Sequence, residues 1–154
     1  MAAALTTAQL VQKMYIGFYG RGADVYGLAY WVGVLGDNTD TTAIRESFST
    51  SAEAVTLFGG KTDSATVKAI YMQTFGRNPD APGLKFYEDA LTARTMTKVE
   101  IAANIIDGAT GADAEIVSKK LEVAELFTAS MDTEATKAAY AGNVAATAAR
   151  ENLA

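Results

Sequence analysis

A sequence pattern that occurs twice constrains this chain more than any other feature. Residues 20–31 read GRGADVYGLAYW, and residues 76–87 read GRNPDAPGLKFY, so the second copy begins 56 positions after the first. Aromatic residues also recur at that spacing. Shared positions at one spacing indicate a single supersecondary unit used twice. The identical pairs are Gly20/Gly76, Arg21/Arg77, Asp24/Asp80, Gly27/Gly83 and Leu28/Leu84.

The pattern predicts a helix, a short turn and a second helix. Apolar residues at spacings of three and four precede each copy, as on one face of a helix, and each stripe stops at Gly20 or Gly76. Glycine there can adopt the left-handed conformation that closes a helix. Asp24 and Asp80 then stand where an N-cap residue accepts hydrogen bonds, and Pro82 suits the first turn of the next helix.

Further motifs predict where other helices begin. Three pairs have the spacing of a capping box, and Asp63 or Ser64 is expected to open the first helix of the second unit. The longest helix is expected from Asp113 to about Ser130. Asp132 is expected to cap another helix, and an Ala-rich segment ends at Ala154. The capping-box pairs are Thr6 with Gln9, Thr50 with Glu53 and Thr97 with Glu100.

Length and composition fit one all-α domain spanning residues 1–154. The chain is 49% hydrophobic and 20% charged, which is ordinary for a globular domain. No stretch shows the alternation of β-branched and polar residues that is typical of strands. We predict a compact multi-helix bundle with repeat unit one at about 10–58, repeat unit two at about 67–107 and C-terminal helices at about 113–153.

Charge and residue types exclude several classes of function. The net charge of −5 disfavours a nucleic-acid partner, and the absence of Cys and His excludes disulfides, Cys/His zinc sites and His-based catalytic triads. No apolar run reaches the length of a transmembrane helix, and the N-terminus lacks the features of a secretory signal peptide. We therefore expect no transmembrane segment and no Sec-type export.

The segment at residues 36–42, GDNTDTT, invites a comparison with calcium loops. Its order of residues does not match a calcium-binding loop, because Thr39 and Thr41 occupy places where ligands are required. A turn followed by a helix cap is the preferred interpretation. We expect no cofactor; a calcium requirement stays open but has no motif to support it.

The two copies resemble the GRxxDxxGLxYW motif of the family known as domain of unknown function 4214. The tail, KKLEVAELFTASM followed by YAGNVAATAARENLA, is similar to the segment that commonly follows a pair of these repeats. This family occurs at the N-termini of large bacterial calcium-dependent repeat proteins and surface-layer proteins that are exported by type I secretion. The resemblance implies that the chain is the N-terminal part of a larger protein, whose export signal would lie beyond Ala154.

The resemblance further implies a non-catalytic module at the bacterial cell surface. A helical N-terminal domain of such proteins can anchor them to lipopolysaccharide through its O-polysaccharide, and like subunits can assemble into a lattice. We expect a secreted, surface-located protein. Two alternatives stay open: a protein–protein scaffold, since the repeats also resemble the helical domains of phycobilisome linkers, and a glycosidase-like enzyme.

The candidate glycan-binding residues lie in and after the two turns, outside the apolar stripes: Arg21, Tyr26, Arg77 and Asn78. Each arginine also has a structural interpretation, since it can bond to its unit's own Asp or to a helix-end carbonyl, and we favour that interpretation. The other aromatic residues of the motif stand at helical spacing, and we expect most of them in the core. Asp24 and Asp80 could form a catalytic carboxylate pair, but their capping role already explains them.

Overall fold

The computed structural model describes residues 4–131 and 133–139, which form nine α-helices and contain no strand. The prediction of an all-α fold is confirmed. Asp132 and the segment after Ala139 lie outside the described residues. The helices are α1 (Thr7–Tyr19), α2 (Val25–Leu35), α3 (Thr42–Ser49), α4 (Ala52–Phe58), α5 (Asp63–Phe75), α6 (Ala81–Thr92), α7 (Lys98–Asp107), α8 (Gly111–Ala129) and α9 (Glu134–Ala139).

The repeated motif folds into two matching helical hairpins. Helices α1 and α5 both have 13 residues and both end at a left-handed glycine, Gly20 at φ 69° and Gly76 at φ 70°. The open end of each hairpin is tied by a threonine. Thr7 Oγ1 donates to the carbonyl of Gly36 over 2.9 Å, and Thr92 Oγ1 donates to Asp63 Oδ2 over 2.9 Å.

Most of the predicted helix starts are confirmed. Asp24 accepts from the backbone N–H of Gly27 over 3.0 Å, and Asp80 accepts from that of Gly83 over 2.8 Å. The capping boxes at the start of α1 and of α7 are both formed. In each of these places the cap side chain accepts from a backbone amide three positions later in the sequence.

Two predicted caps are wrong by one or two residues. Ser51, not Thr50, caps α4, and its hydroxyl accepts from the N–H of Ala54 over 3.2 Å. The expected reach of Glu53 back to Thr50 does not occur, because that carboxylate binds a side chain in another part of the fold. Helix α5 is capped by Thr62, so that Asp63 becomes its first residue instead.

Helix α1 is the centre of the packing. It contacts α2, α4, α5, α7 and α8, and its apolar side chains from Val11 to Tyr19 are buried. Aromatic rings dominate the contact with α3, where the ring centroids of Tyr19 and Phe48 lie 4.4 Å apart. Aromatic side chains bury large areas, so this cluster makes a large contribution to holding unit one together.

A buried polar network joins α8 to the first turn. Gln12 is 1% exposed; its amide donates to Thr128 Oγ1 over 2.7 Å, and its side-chain oxygen accepts from the N–H of Ala23 over 2.9 Å. Thr128 in turn donates to the carbonyl of Ala23 over 2.6 Å. Since buried polar groups are costly unless they are paired, this network fixes where α8 lies on unit one.

We predict that Gly76→Ala costs roughly 1–2 kcal/mol of unfolding free energy, because a side chain is strained at positive φ. Gly20→Ala should cost more. It has the same φ, but its Cβ would lie 3.1 Å from Gln73 Oε1, whereas nothing lies within 4 Å of a Cβ at Gly76. Gln73 cannot move freely because its amide donates to the carbonyls of Gly17 and Phe18.

Denaturant unfolding of both variants checks this difference. Gly33→Ala is the matched control, because that residue lies inside α2 and an added Cβ meets nothing within 4 Å. It should stabilise by roughly 0.5–1 kcal/mol through helix propensity. Equal losses at Gly20 and Gly76 would show that the contact with Gln73 contributes nothing.

Candidate functional site

The two motif arginines make the same forked ion pair in each unit. Arg21 donates through Nε and Nη2 to the two carboxylate oxygens of Glu53, at 2.8 Å each. Arg77 donates in the same way to Asp113, at 3.0 and 2.6 Å. Both acids lie in the first turn of the helix that closes their unit, α4 or α8. We call this arrangement the arginine clasp, since it fastens that helix to the turn of the motif.

The remaining contacts of the guanidinium are also repeated. Nη1 of Arg21 donates to the carbonyl of Gly22 over 2.9 Å, as Nη1 of Arg77 does to Asn78 over 3.0 Å. Each guanidinium lies over a tyrosine ring of the preceding helix, at 5.0 Å in unit one and 5.4 Å in unit two. The bidentate fork is available to arginine and not to lysine, and cation–π contacts are made more often by arginine.

The structural interpretation of the arginines therefore holds, but with a different partner. The nearer acid in sequence, Asp24, stands 4.0 Å from Nη1 of Arg21, while Glu53 takes the fork. Burial on its own lowers the pKa of Arg21, but hydrogen bonds and charge from Glu53 outweigh burial and raise it above its ordinary value. The guanidinium of Arg21 is therefore charged, and both of its forked hydrogen bonds go to Glu53.

Close packing at the start of the second helix of each hairpin explains the second motif glycine. A Cβ at Gly27 would collide with the hydroxyl of Tyr15 and would lie 2.7 Å from Asp24 Oδ1. At Gly83 the same atom would lie 2.7 Å from Asp80 Oδ1. Here glycine is required by the close approach of the tyrosine and the capping carboxylate, and not by its backbone angles.

The two turns differ in their access to solvent. Arg21 is 8% exposed because α8 covers the first turn, where a Cβ on Gly22 would lie 3.1 Å from the Cα of Ala124. The side chain of Arg77 is 46% exposed, and Asn78 beside it is exposed too. Of the two candidate arginines, only Arg77 presents its side chain to a ligand.

Tyr26, the remaining glycan-binding candidate, lies on α2 and is 46% exposed. Its hydroxyl donates to Glu134 Oε2 over 2.6 Å, and this hydrogen bond raises the pKa of Tyr26. The structure therefore places the predicted residues in three settings: Arg21 inside, Arg77 and Asn78 together on the second turn, and Tyr26 on the face of a helix beside α9.

The acidic residues that suggested other functions serve the backbone. Asp24 and Asp80 are helix caps in both units. In the segment at residues 36–42, Asp40 accepts from the N–H of Thr42 over 3.0 Å and Asn38 accepts from that of Asp40 over 3.0 Å. Hydrogen bonds from Thr42 lower the pKa of Asp40. Within the described residues no three acidic side chains are grouped to hold a metal ion.

Sequence reasoning missed two features of the surface and interior. The acids that complete the clasps, Glu53 and Asp113, stand 32 and 36 residues from their arginines, so no local spacing indicates them. The expectation that most motif aromatics are buried holds for Trp31 but fails for Tyr30 and Phe86, which are both 63% exposed. The spacing of Tyr30 from Leu28 and Trp31 on α2 could have placed it on the outer face, and the matching positions on α6 could have placed Phe86 there.

The family described as Domain of unknown function (DUF4214) matches residues 1–58 and again residues 46–110. The chain belongs to this family. No protein with a curated description and no solved structure matches it significantly. In the part of the chain that the structure describes, none of the helices has the length and apolarity needed to span a bilayer.

We predict that Arg21→Ala and Arg77→Ala differ strongly in their effect on stability. Removing Arg21 takes the forked cation away from the largely buried carboxylate of Glu53, which should cost roughly 3–5 kcal/mol. Removing the exposed Arg77 should cost about 1 kcal/mol or less. Chemical denaturation of both variants measures the difference. Similar losses would mean that cover by α8 does not strengthen the first clasp.

A second prediction concerns alkaline pH. Burial raises the pKa of Tyr19 to about 12, although its hydrogen bond with Ser51 acts in the opposite direction, and burial also raises the pKa of Tyr15. The unfolded chain ionises its tyrosines near pH 10. Stability should therefore be intact below about pH 10 and fall as the pH rises toward 12, because only the unfolded state releases these protons.

Unfolding midpoints measured between pH 8 and pH 11.5 test this prediction. Tyr19→Phe should flatten the alkaline decline, whereas Tyr30→Phe, at an exposed position, should leave its slope unchanged. A decline that is identical in wild type and Tyr19→Phe would contradict the assignment.

Proposed function

We propose that this domain is a non-catalytic module that holds a larger secreted bacterial protein at the cell surface by binding the polysaccharide of lipopolysaccharide. The resemblance of its motif to the N-terminal repeats of type I-secreted surface proteins suggests the setting. The observation that carries the proposal is the second turn, where the clasp holds an exposed guanidinium beside an exposed asparagine.

The second turn has the chemistry that sugar recognition needs. An arginine has five N–H donors, and the clasp uses three of those of Arg77, which leaves donors for a ligand hydroxyl or carboxylate. Its hydrogen bonds with Asp113 raise the pKa of Arg77, so the guanidinium stays charged. Because the side chain is already fixed, little conformational entropy is lost on binding.

Tyr26 adds an exposed aromatic face with a polar tip. Single contacts of this kind are weak. Many copies of the protein on one cell, or like subunits in a lattice, would gain avidity from a polymer that repeats its sugar unit. A modest affinity per domain is then enough for retention.

A protein–protein scaffold is the second candidate function. The observation that favours it is an apolar stripe on the outer face of α2, formed by Tyr26, Tyr30 and Val34. A glycosidase-like activity has less support, because the carboxylates of Asp24 and Asp80 are already used as helix caps.

We expect the purified domain to bind lipopolysaccharide that carries O-polysaccharide and to bind the truncated form poorly. Arg77→Ala with Asn78→Ala should weaken binding by roughly tenfold, which corresponds to about one charged hydrogen bond. Tyr26→Ala should weaken it as well. Lys119→Ala is the control, since it removes one exposed positive charge from α8, six residues after Asp113. Surface-immobilised lipopolysaccharide, with and without calcium, provides the measurement.

Equal binding of wild type to both forms of lipopolysaccharide would rule out the polysaccharide as the ligand. The scaffold would then be the favoured function. Unchanged binding by the variant with both Arg77→Ala and Asn78→Ala would show that the second turn is not part of the binding site. Circular dichroism confirms that each variant is folded before binding is compared.

A further inference from the structure

We propose that Tyr30 and Phe86 are two equivalent platforms on which neutral sugar rings of the ligand stack, one in each repeat unit. This inference rests on the proposed function and names both the surface and the class of ligand. It assigns binding to a pair of side chains that lie outside the four candidate residues predicted from the sequence.

The first observation is that both rings occupy matching positions of the repeat and are exposed to solvent. Tyr30 and Phe86 occupy the same place in the two units, 56 positions apart, and each is 63% exposed. Every other repeated residue has a structural role in unit one. The glycines permit the turn and the close approach of Tyr15, the arginine forms the clasp, the aspartate caps a helix, and Leu28 packs against the core.

The second observation is that both rings are held in place. Tyr30 packs edge-on against Trp31, with ring centroids 4.8 Å apart and planes at 77°. Phe86 packs in the same way against Tyr87, at 5.1 Å and 82°. Such contacts fix the orientation of a ring and leave its remaining surface open. A rigid aromatic surface binds with little loss of side-chain entropy.

The helix surface beside Tyr30 leaves access to a flat ligand. The fold does not require glycine at position 33 on α2, because the φ of Gly33 is not positive and an added Cβ would meet nothing within 4 Å. Glycine inside a helix costs about 1 kcal/mol of stability relative to alanine. At this position, three residues after Tyr30, it leaves the helix surface without a side chain. The matching residue in unit two is Asp89, which is paired with Lys85 at 2.9 Å.

The charges beside the rings favour a neutral ligand. Lys85, the cation adjacent to Phe86 in the chain, is neutralised by Asp89, and both side chains stay exposed as hydrogen-bonding groups for hydroxyls. The whole chain carries a net charge of −5. A phosphorylated ligand would therefore be repelled, whereas an uncharged sugar ring would not.

The comparison of the two units also separates a sugar from a protein partner. In unit one, Tyr30 lies between Tyr26 and Val34, and this stripe could receive an apolar helix. In unit two the matching places hold Pro82 and the buried Ala90, so the stripe is absent. Only the single ring is common to both units. A single exposed ring fits the apolar face of one sugar and is too small for a stable protein interface.

The tryptophan provides a direct readout for the first platform. Trp31 is the only tryptophan in the sequence and touches Tyr30. Titration of the domain with O-polysaccharide released from the lipopolysaccharide of the source bacterium should shift its fluorescence. The phosphorylated core oligosaccharide and lipid A, used separately, should produce no shift. Tyr30→Leu should abolish the shift, whereas Phe86→Leu should keep it.

Affinity measured by calorimetry or by binding to immobilised polysaccharide tests both platforms together. Leucine retains apolar area but removes the flat ring, so each single variant should weaken binding by roughly three- to tenfold, and the double variant by more than either. Tyr30→Phe should bind nearly as wild type. Leu126→Ala is the control, since it removes another strongly exposed apolar side chain, on α8.

Three outcomes would overturn this inference. Wild-type binding to O-polysaccharide that persists in the double leucine variant removes the platforms and leaves the proposed function standing. Binding that is lost in alanine variants but kept in leucine variants indicates an apolar contact and not ring stacking. Absence of any wild-type binding to O-polysaccharide rejects the proposed function itself. If Tyr30→Leu lowers the unfolding midpoint through Trp31, Phe86→Leu alone decides, because its ring touches no tryptophan.

Discussion

The arginine clasp is the interaction on which the architecture of both units depends. A hairpin of two helices buries only one side of each helix, and it needs a further helix to close its core. The fork between Arg21 and Glu53 brings the start of α4 to the turn of the first hairpin, and the fork between Arg77 and Asp113 does the same for α8. Such an ion pair adds little net stability whether it is buried or exposed, but its two parallel hydrogen bonds fix how the partners are oriented. The clasp therefore specifies where the closing helix begins.

The two closing helices explain why matched residues differ in their surroundings. Helix α4 has 7 residues, whereas α8 has 19 and extends past its own unit onto the first turn. There Thr128 joins the buried network with Gln12. The same turn in unit two has no such cover within the described residues. One copy of the motif has thus become part of the interior, and the other keeps its polar groups at the surface.

The sequence could predict what local chemistry determines. Gly20 and Asp24 act through their own backbone angles and through amides three positions away, so their roles follow from spacing alone. The prediction of a capping box between Thr50 and Glu53 is wrong because Glu53 has a stronger partner in Arg21, which is distant in the sequence. The exposure of Arg77 and the burial of Arg21 depend on how far α8 extends. No pattern around either arginine contains that information.

The acidic character of the domain limits where the proposed contact with a bacterial surface could form. The phosphates of lipopolysaccharide lie in its inner part, and a chain with a net charge of −5 is repelled by them at short range. At physiological ionic strength this repulsion fades over about 8 Å. An outer polysaccharide lies beyond that distance, where hydrogen bonds and ring stacking act without opposition from the membrane's charge. In the proposed function, binding through neutral sugars would therefore reconcile an acidic domain with an anionic surface, and it would need no basic patch on the domain.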